Sequence, residues 1–334
     1  MSDDLPILLD MVNDVLTAAE WQQQDSFSNE LRQALSSLAM HPESSDARPQ
    51  IAARLQHLQS PIGVGFLFVW LGASVENGFD PEDTAIPLLE TFLKWTRTVQ
   101  TASEGSEAED PPVEKNTLIG LERMGQGLVA HLSRTPELTS RLSRDKAVTR
   151  ELERVSHLSI GALWILELLR KRSGSLVVLH GSELSGFRLD YEHLSNCFHL
   201  FTLLQGALAG KMSGAQLASA DVLAVAMGES SNAVSDTAWW HYGTCAHPKP
   251  DVMASIWGEA DPALIPAIDG QAVMVLWPLV MASRSWDSGF FGPILMSMPP
   301  RVTVHSEMSV DEVQEWRARL KLPAISGKPW WKIW

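Results

Sequence analysis

Apolar side chains at Leu5, Leu8, Leu9, Val12, Val15 and Leu16 recur at helical spacing, and Asp3 and Asp4 precede them as acceptors for the first free amides. This pattern predicts an amphipathic helix over 5–19. The same period runs through 27–40 (Phe27, Leu31, Leu35, Leu38), 47–58 (Ile51, Leu55, Leu58) and 81–98 (Ile86, Leu89, Phe92, Leu93). Between the last two lies Ser60–Val75, SPIGVGFLFVWLGASV, an uncharged and mostly apolar run. It falls short of the roughly 20 residues that cross a bilayer, so it predicts a helix buried in a core. Residues 1–102 therefore read as a helical bundle.

The pattern breaks at 103–115, SEGSEAEDPPVEK, where acids, Ser, Gly and a Pro pair leave almost nothing to bury. That is the composition of a solvated linker. Helical period returns over 118–132 and from about 144 to 172, so 116–172 reads as helices that connect the linker to the C-terminal region. After Gly174 the runs become short and β-branched or alternating. They predict strands at 176–179, 187–189, 238–242, 252–257, 272–276 and 302–305, with helices at 197–210 and 310–320. Ser309 and Glu312 form a capping box ahead of Val313 and Trp316 in the last helix. Strands scattered among helices, without strict alternation, predict an α+β fold: the helical bundle followed by a Trp-rich α+β domain over 173–334 with a largely antiparallel sheet. No fixed-period repeat is present.

Charge narrows the partners. The chain carries 26 basic and 40 acidic side chains, a net charge of −14. Such a field disfavours general nucleic-acid binding, which needs clustered Lys and Arg. The segment 116–172 alone is basic, with Arg141, Arg144, Lys146, Arg150, Arg154, Arg170, Lys171 and Arg172 interleaved with Glu151, Glu153 and Glu167. This predicts a solvated helix face laced by pairs four residues apart, with docking of the acidic N-terminal region as the alternative. The 2 cysteines cannot build a disulfide framework, and the start MSDDLPILLD lacks the positive charge of a signal peptide. The expected location is cytoplasmic, with no membrane span.

Both cysteines sit in one context: His193-x3-Cys197-x-His199 and His241-x3-Cys245-x-His247. Imidazole and thiolate are zinc ligands, so the six side chains are candidates for a metal site. The spacing matches no standard zinc module, and on a helix His199 turns away from the face that His193 and Cys197 share. A buried Cys and a satisfied core His are the other reading. No cofactor is expected if that reading holds; zinc is expected if the segments converge.

Nine of the 13 tryptophans follow residue 238. Trp239, Trp257 and Trp277 lie in strand-like runs and are expected in the core. The end of the chain, GKPWWKIW, places Trp330, Trp331 and Trp334 where they either pack back or bind a partner. Arg284-Ser-Trp286-Asp287-Ser-Gly289 reads as a polar, turn-prone cluster; Arg284 and Trp286 are partner-binding candidates there. Asp287 is a candidate base if the fold brings it to His180 or His241. No nucleophile elbow, P-loop, dinucleotide fingerprint or HExxH motif occurs, and the Gly63/Gly65 and Gly125/Gly127 pairs fall in helical patterns rather than phosphate loops.

The segments GFRLDYEHLSNCFHLFTLLQGAL (186–208) and WGEADPALIPAIDGQAVMVLWP with the following RSWDSG (257–289) resemble an uncharacterised bacterial protein family that shares GFR…LxTLL and LIPxxDG…RSWDxG. The resemblance covers about a hundred residues and rests on turns and apolar runs. It implies a bacterial protein, carries no established activity and transfers no functional residue. Its segment matching 197–199 need not hold Cys and His, which weakens the metal reading. Taken together, these features lead to the expectation of a non-enzymatic interaction or adaptor module that meets a protein partner in a bacterial multi-component, defence-type system. A metal-dependent hydrolase or metal-stabilised domain is the alternative.

Overall fold

The computed structural model describes residues 44–104, 115–227, 229–230, 234–237, 240–251, 254–277, 284–287 and 297–325, with isolated positions at 33, 36, 37 and 295. The helix expected over 5–19 and most of that over 27–40 lie outside the described residues, as do the core of the acidic segment and the tail carrying Trp330, Trp331 and Trp334. The chain divides into two compact units, Met1–Arg170 and Lys171–Trp334. Helices on both sides of the acidic segment belong to the first unit.

Among the described residues that unit holds α1 (Ser44–Arg54), a 3-10 turn at Leu55–His57, α2 (Pro61–Glu76), α3 (Glu82–Glu104), α4 (Lys115–Leu132), α5 (Pro136–Arg144), α6 (Lys146–Val155) and α7 (Ile160–Arg170). The uncharged run becomes α2. Ser60 caps it by accepting from the Gly63 amide, and Pro61 occupies a first position that needs no N–H. Ile62, Val64, Leu67, Phe68, Leu71 and Val75 are all buried, which explains why its apolar residues follow no single stripe.

Glycines set how closely α4 can be approached. A Cβ on Gly127 would stand 2.1 Å from the Phe68 carbonyl oxygen, and one on Gly120 would stand 2.4 Å from that of Pro61. From the α2 side, Gly65 and Gly72 abut Gly120 and Gly127 in turn. Within each helix the two glycines are two turns apart and so share a face. On another side of α4, Gly125 meets Gly161 of α7, where a Cβ would lie 2.4 Å from the Gly161 Cα. The helix is thus held backbone to backbone by two neighbours.

The second unit holds β1 (Arg172–His180), β2 (Gly186–Leu194), α8 (Cys197–Leu208), α9 (Ala220–Ala226), β3 (Val234–Thr237), β4 (His241–Thr244), β5 (Ala267–Ile268), β6 (Gln271–Trp277), β7 (Arg284–Asp287), β8 (Arg301–Glu307) and α10 (Val310–Arg319). The main sheet runs β4-β6-β1-β2-β8, with β5 added to β6. All its pairs are antiparallel except β1 with β6. This is the α+β architecture with a largely antiparallel sheet that the pattern implied.

Both faces of the sheet are covered. Leu176, Val178, Leu189, Tyr191, Met274 and Leu276 pack with α8 and α9, whereas Val177, Leu179, Val273, Val275 and Trp277 pack with Val313 and Trp316 of α10. Burial on both sides is why the central strand reads as a continuous LVVL rather than an alternation. The capping box is present: Ser309 Oγ accepts from the Glu312 amide, and Glu312 Oε2 accepts from the Ser309 amide.

Two local expectations need correction. Residues 254–257, expected as the end of a strand, form no strand, and Trp257, expected in the core, is 57% exposed. Among the described residues one backbone bond, from the Ile256 amide to the Tyr242 carbonyl, ties this stretch to a strand, too little to continue a ladder, and the bonds of Ala254 and Ser255 to the Asp251 carbonyl make it a turn. The polar Arg284–Asp287 stretch, expected as a turn, is strand β7, paired with β3 in a two-stranded ribbon that matches Trp286 with Ser235. Non-local pairing supplied the hydrogen bonds that its own composition did not advertise. Among the described residues no helix is long and apolar enough to cross a membrane.

Candidate functional site

The first His/Cys segment lies at the turn from β2 into α8. His193 takes a left-handed backbone (φ 57°), and its Nδ1–H donates to the Pro299 carbonyl at 3.2 Å. Cys197 opens α8 fully buried; burial, with Asp261 adding to it, pushes the thiol up to about 12. His199 is also fully buried, and its Nδ1 accepts from the Ser195 amide at 3.3 Å. Burial first and Lys171 second bring its pKa down to about 3, so the imidazole is neutral. Further along the same helix Gln205 donates to the Tyr242 hydroxyl and accepts from the Gln216 amide, while Tyr242 stacks on Phe201. Gln205 and Tyr242 thus form a polar pair within the layer between α8 and the sheet.

The second segment faces the other way. His241 pairs directly with Trp277, whose side chain belongs to the α10 face, and Cys245 packs partly buried against that same cluster. Paired residues share a face and successive residues alternate, so the sheet stands between Cys197 and His199 on one side and His241 and Cys245 on the other. His247 is exposed in the following turn, its amide bonded to Thr244. The convergence on which the zinc expectation rested is absent, and among the described residues no three His, Cys, Asp or Glu side chains gather around a common point. Asp287, Arg284 and Trp286 lie on β7, of which the backbone alone is described.

His180 ends β1, buried, with Nδ1 accepting from the Ser182 amide at 3.3 Å. Its pKa is lowered chiefly by burial, further by Arg317, against an opposing pull from Glu183. His131 of α4 is buried too; it donates from Nδ1 to the Gly127 carbonyl, and burial lowers its pKa. An unfolded histidine binds a proton near 6.5, whereas these folded ones bind it at lower pH. Stability from this source is therefore complete above about pH 6.5 and is lost as the pH falls toward the folded values. For each such histidine the loss reaches up to about 1.4 kcal/mol per pH unit. Urea midpoints should drop steeply between about pH 6.5 and 4, and His199→Gln should make that slope shallower. An unchanged slope in the variant would remove His199 from the explanation.

The surface of the first unit offers a different kind of site. A cavity of about 560 Å³ opens between the start of α3 and the corner joining α4 to α5, lined by Asp80, Glu82, Ile86, Arg134, Leu138 and Arg141. Ile86, counted in the sequence as one of an inward-facing stripe, is 45% exposed. Among the described residues none of the charged side chains here takes part in an ion pair. The residues come from segments about fifty positions apart, and nothing in their local spacing marks the groove.

The basic segment also differs from expectation. Instead of pairing along its own helix, Glu151 binds Arg97 of α3 and Glu153 binds Arg170 of α7; Glu167 pairs with Arg170 within α7. Lys146, Arg150 and Arg154 remain exposed, and among the described residues they form no ion pair.

No protein-family model, no curated protein and no solved structure matches this chain significantly.

Proposed function

We propose that the chain is a non-enzymatic protein-interaction module. The observation that carries this reading is the open groove of the first unit. There an exposed aliphatic side chain, Ile86, is ringed by charges of both signs that form no ion pair among the described residues. Such a surface suits a peptide segment with an aliphatic anchor flanked by polar groups, because desolvating the anchor supplies affinity and the rim supplies register. Cys197 and His199 favour the same reading, since they sit buried and neutral, where they serve packing. The bacterial multi-component setting comes from the C-terminal resemblance alone.

The test is affinity purification of the tagged full chain from its native cells, comparing the parent with Ile86→Asp/Leu138→Asp. The groove variant should lose one or more partners by about tenfold or more, the scale of removing a buried anchor. Identical partner lists would rule out the groove. A form lacking residues 327–334, run in parallel, separates any contribution of Trp330, Trp331 and Trp334.

A further inference from the structure

We infer that the outward face of α6 is a docking stripe for an acidic segment of a partner protein. This inference rests on the reading of the chain as a protein-binding module. Lys146, Arg150 and Arg154 follow one another at four-residue intervals, so their cations stand in a row along one face of the helix, while Leu152 and Val155 face the core. The carboxylates that could neutralise the row are engaged elsewhere. Asp145 accepts from the Ala147 and Val148 amides as the helix cap, Glu151 is held by Arg97, and Glu153 by Arg170.

The row is at odds with the stability of its own helix. Like charges four residues apart repel, and this helix carries two such pairs in succession. Lys146 stands at the first helical position, where the aligned peptide dipoles favour an anion. Local choices that oppose the fold mark positions retained for something other than the fold. A cationic row with no ion-pair partner among the described residues, on a chain whose net charge is −14, selects a partner that is anionic over a short length. A long polyanion would extend from the stripe into the repulsive field of the rest of the molecule, whereas a short acidic peptide meets the stripe alone.

Fluorescence anisotropy of a short fluorescein-labelled oligoglutamate with the full chain tests this. The parent should bind at low ionic strength and release the peptide as salt is raised. Lys146→Glu/Arg154→Gln should weaken binding at least about tenfold. It should do so without lowering the thermal midpoint, because Glu at 146 suits the helix start and pairs with Arg150. Ile86→Ser/Leu138→Ser, which removes the groove's apolar anchors without changing charge, should leave oligoglutamate binding unchanged, so a failure of the groove and a failure of the stripe give different results. The inference is overturned if the parent does not bind at low salt, if the double variant binds as the parent does, or if an oligodeoxythymidine of equal charge binds more tightly than the peptide.

Discussion

Gly127→Val is expected to lower the stability of the first unit by roughly 3 kcal/mol or more. The α-carbon of Gly127 faces the Phe68 carbonyl so closely that even a methyl group would stand 2.1 Å from the oxygen. The obstructing atom is backbone in the middle of a helix, so no rotamer change relieves the clash and α2 and α4 must separate. Separation would loosen the layer that Leu67, Phe68, Leu71, Leu121, Met124 and Leu128 fill without exposure, and dispersion attraction would weaken along the whole crossing. Urea unfolding followed by circular dichroism should show a large drop in midpoint.

Gly206 of α8 provides the contrast. A Cβ there has its nearest neighbour at 3.9 Å, and the backbone φ is not positive. Gly206→Ala should therefore be neutral or stabilising by about 0.5–1 kcal/mol, through helix propensity and the reduced freedom of the unfolded chain. Similar behaviour of the two variants would sink the close-crossing explanation.

These glycines also show where sequence reasoning stops. The uncharged α2 run was legible because a long apolar stretch must be buried, and the capping box at Ser309 and Glu312 was legible because both partners lie within one turn. Gly65 and Gly127 were legible as glycines in helical patterns, but their close crossing with Gly120 and Gly72 is a property of two helices and leaves no mark on either alone. The same holds for charge. Glu151 has basic neighbours along its own helix, yet Arg97 of another helix engages it, and only the packed structure decides between them. The paired His/Cys spacing was real as a pattern. Strand alternation placed His241 and Cys245 on the face opposite Cys197 and His199, a consequence of sheet order that spacing does not encode.

Arg317 of α10 should prove the most sensitive single side chain of the second unit. It is 8% exposed, and among the described residues it has no carboxylate partner. The cation is held by carbonyl dipoles: Nη1 donates to His180, Gly181 and Glu183 at 3.0, 2.9 and 3.3 Å, and Nη2 donates to Pro323 at 2.7 Å. One side chain thus fastens the loop leaving β1 and the chain leaving α10. Gly181 sits in that loop against the Trp277 ring, its amide bonded to the Leu276 carbonyl, so the fastening reaches the end of β6.

Arg317→Met keeps much of the apolar stem and removes every donor, leaving four carbonyls without that donor. The expected loss is roughly 3 kcal/mol, in line with hydrogen bonds to a charged group. Arg317→Lys should recover little of it, because an ammonium cannot span both sets of acceptors as the planar fork does. Hydrogen exchange at the Gly181 amide should quicken in both variants more than exchange in the middle of β1, since the loop opens before the sheet does. Exchange and urea midpoint unchanged in Arg317→Met would mean that the loop is held by its packing on Trp277 instead. That outcome would move the test to Gly181→Ala, whose added methyl would lie 2.3 Å from the ring.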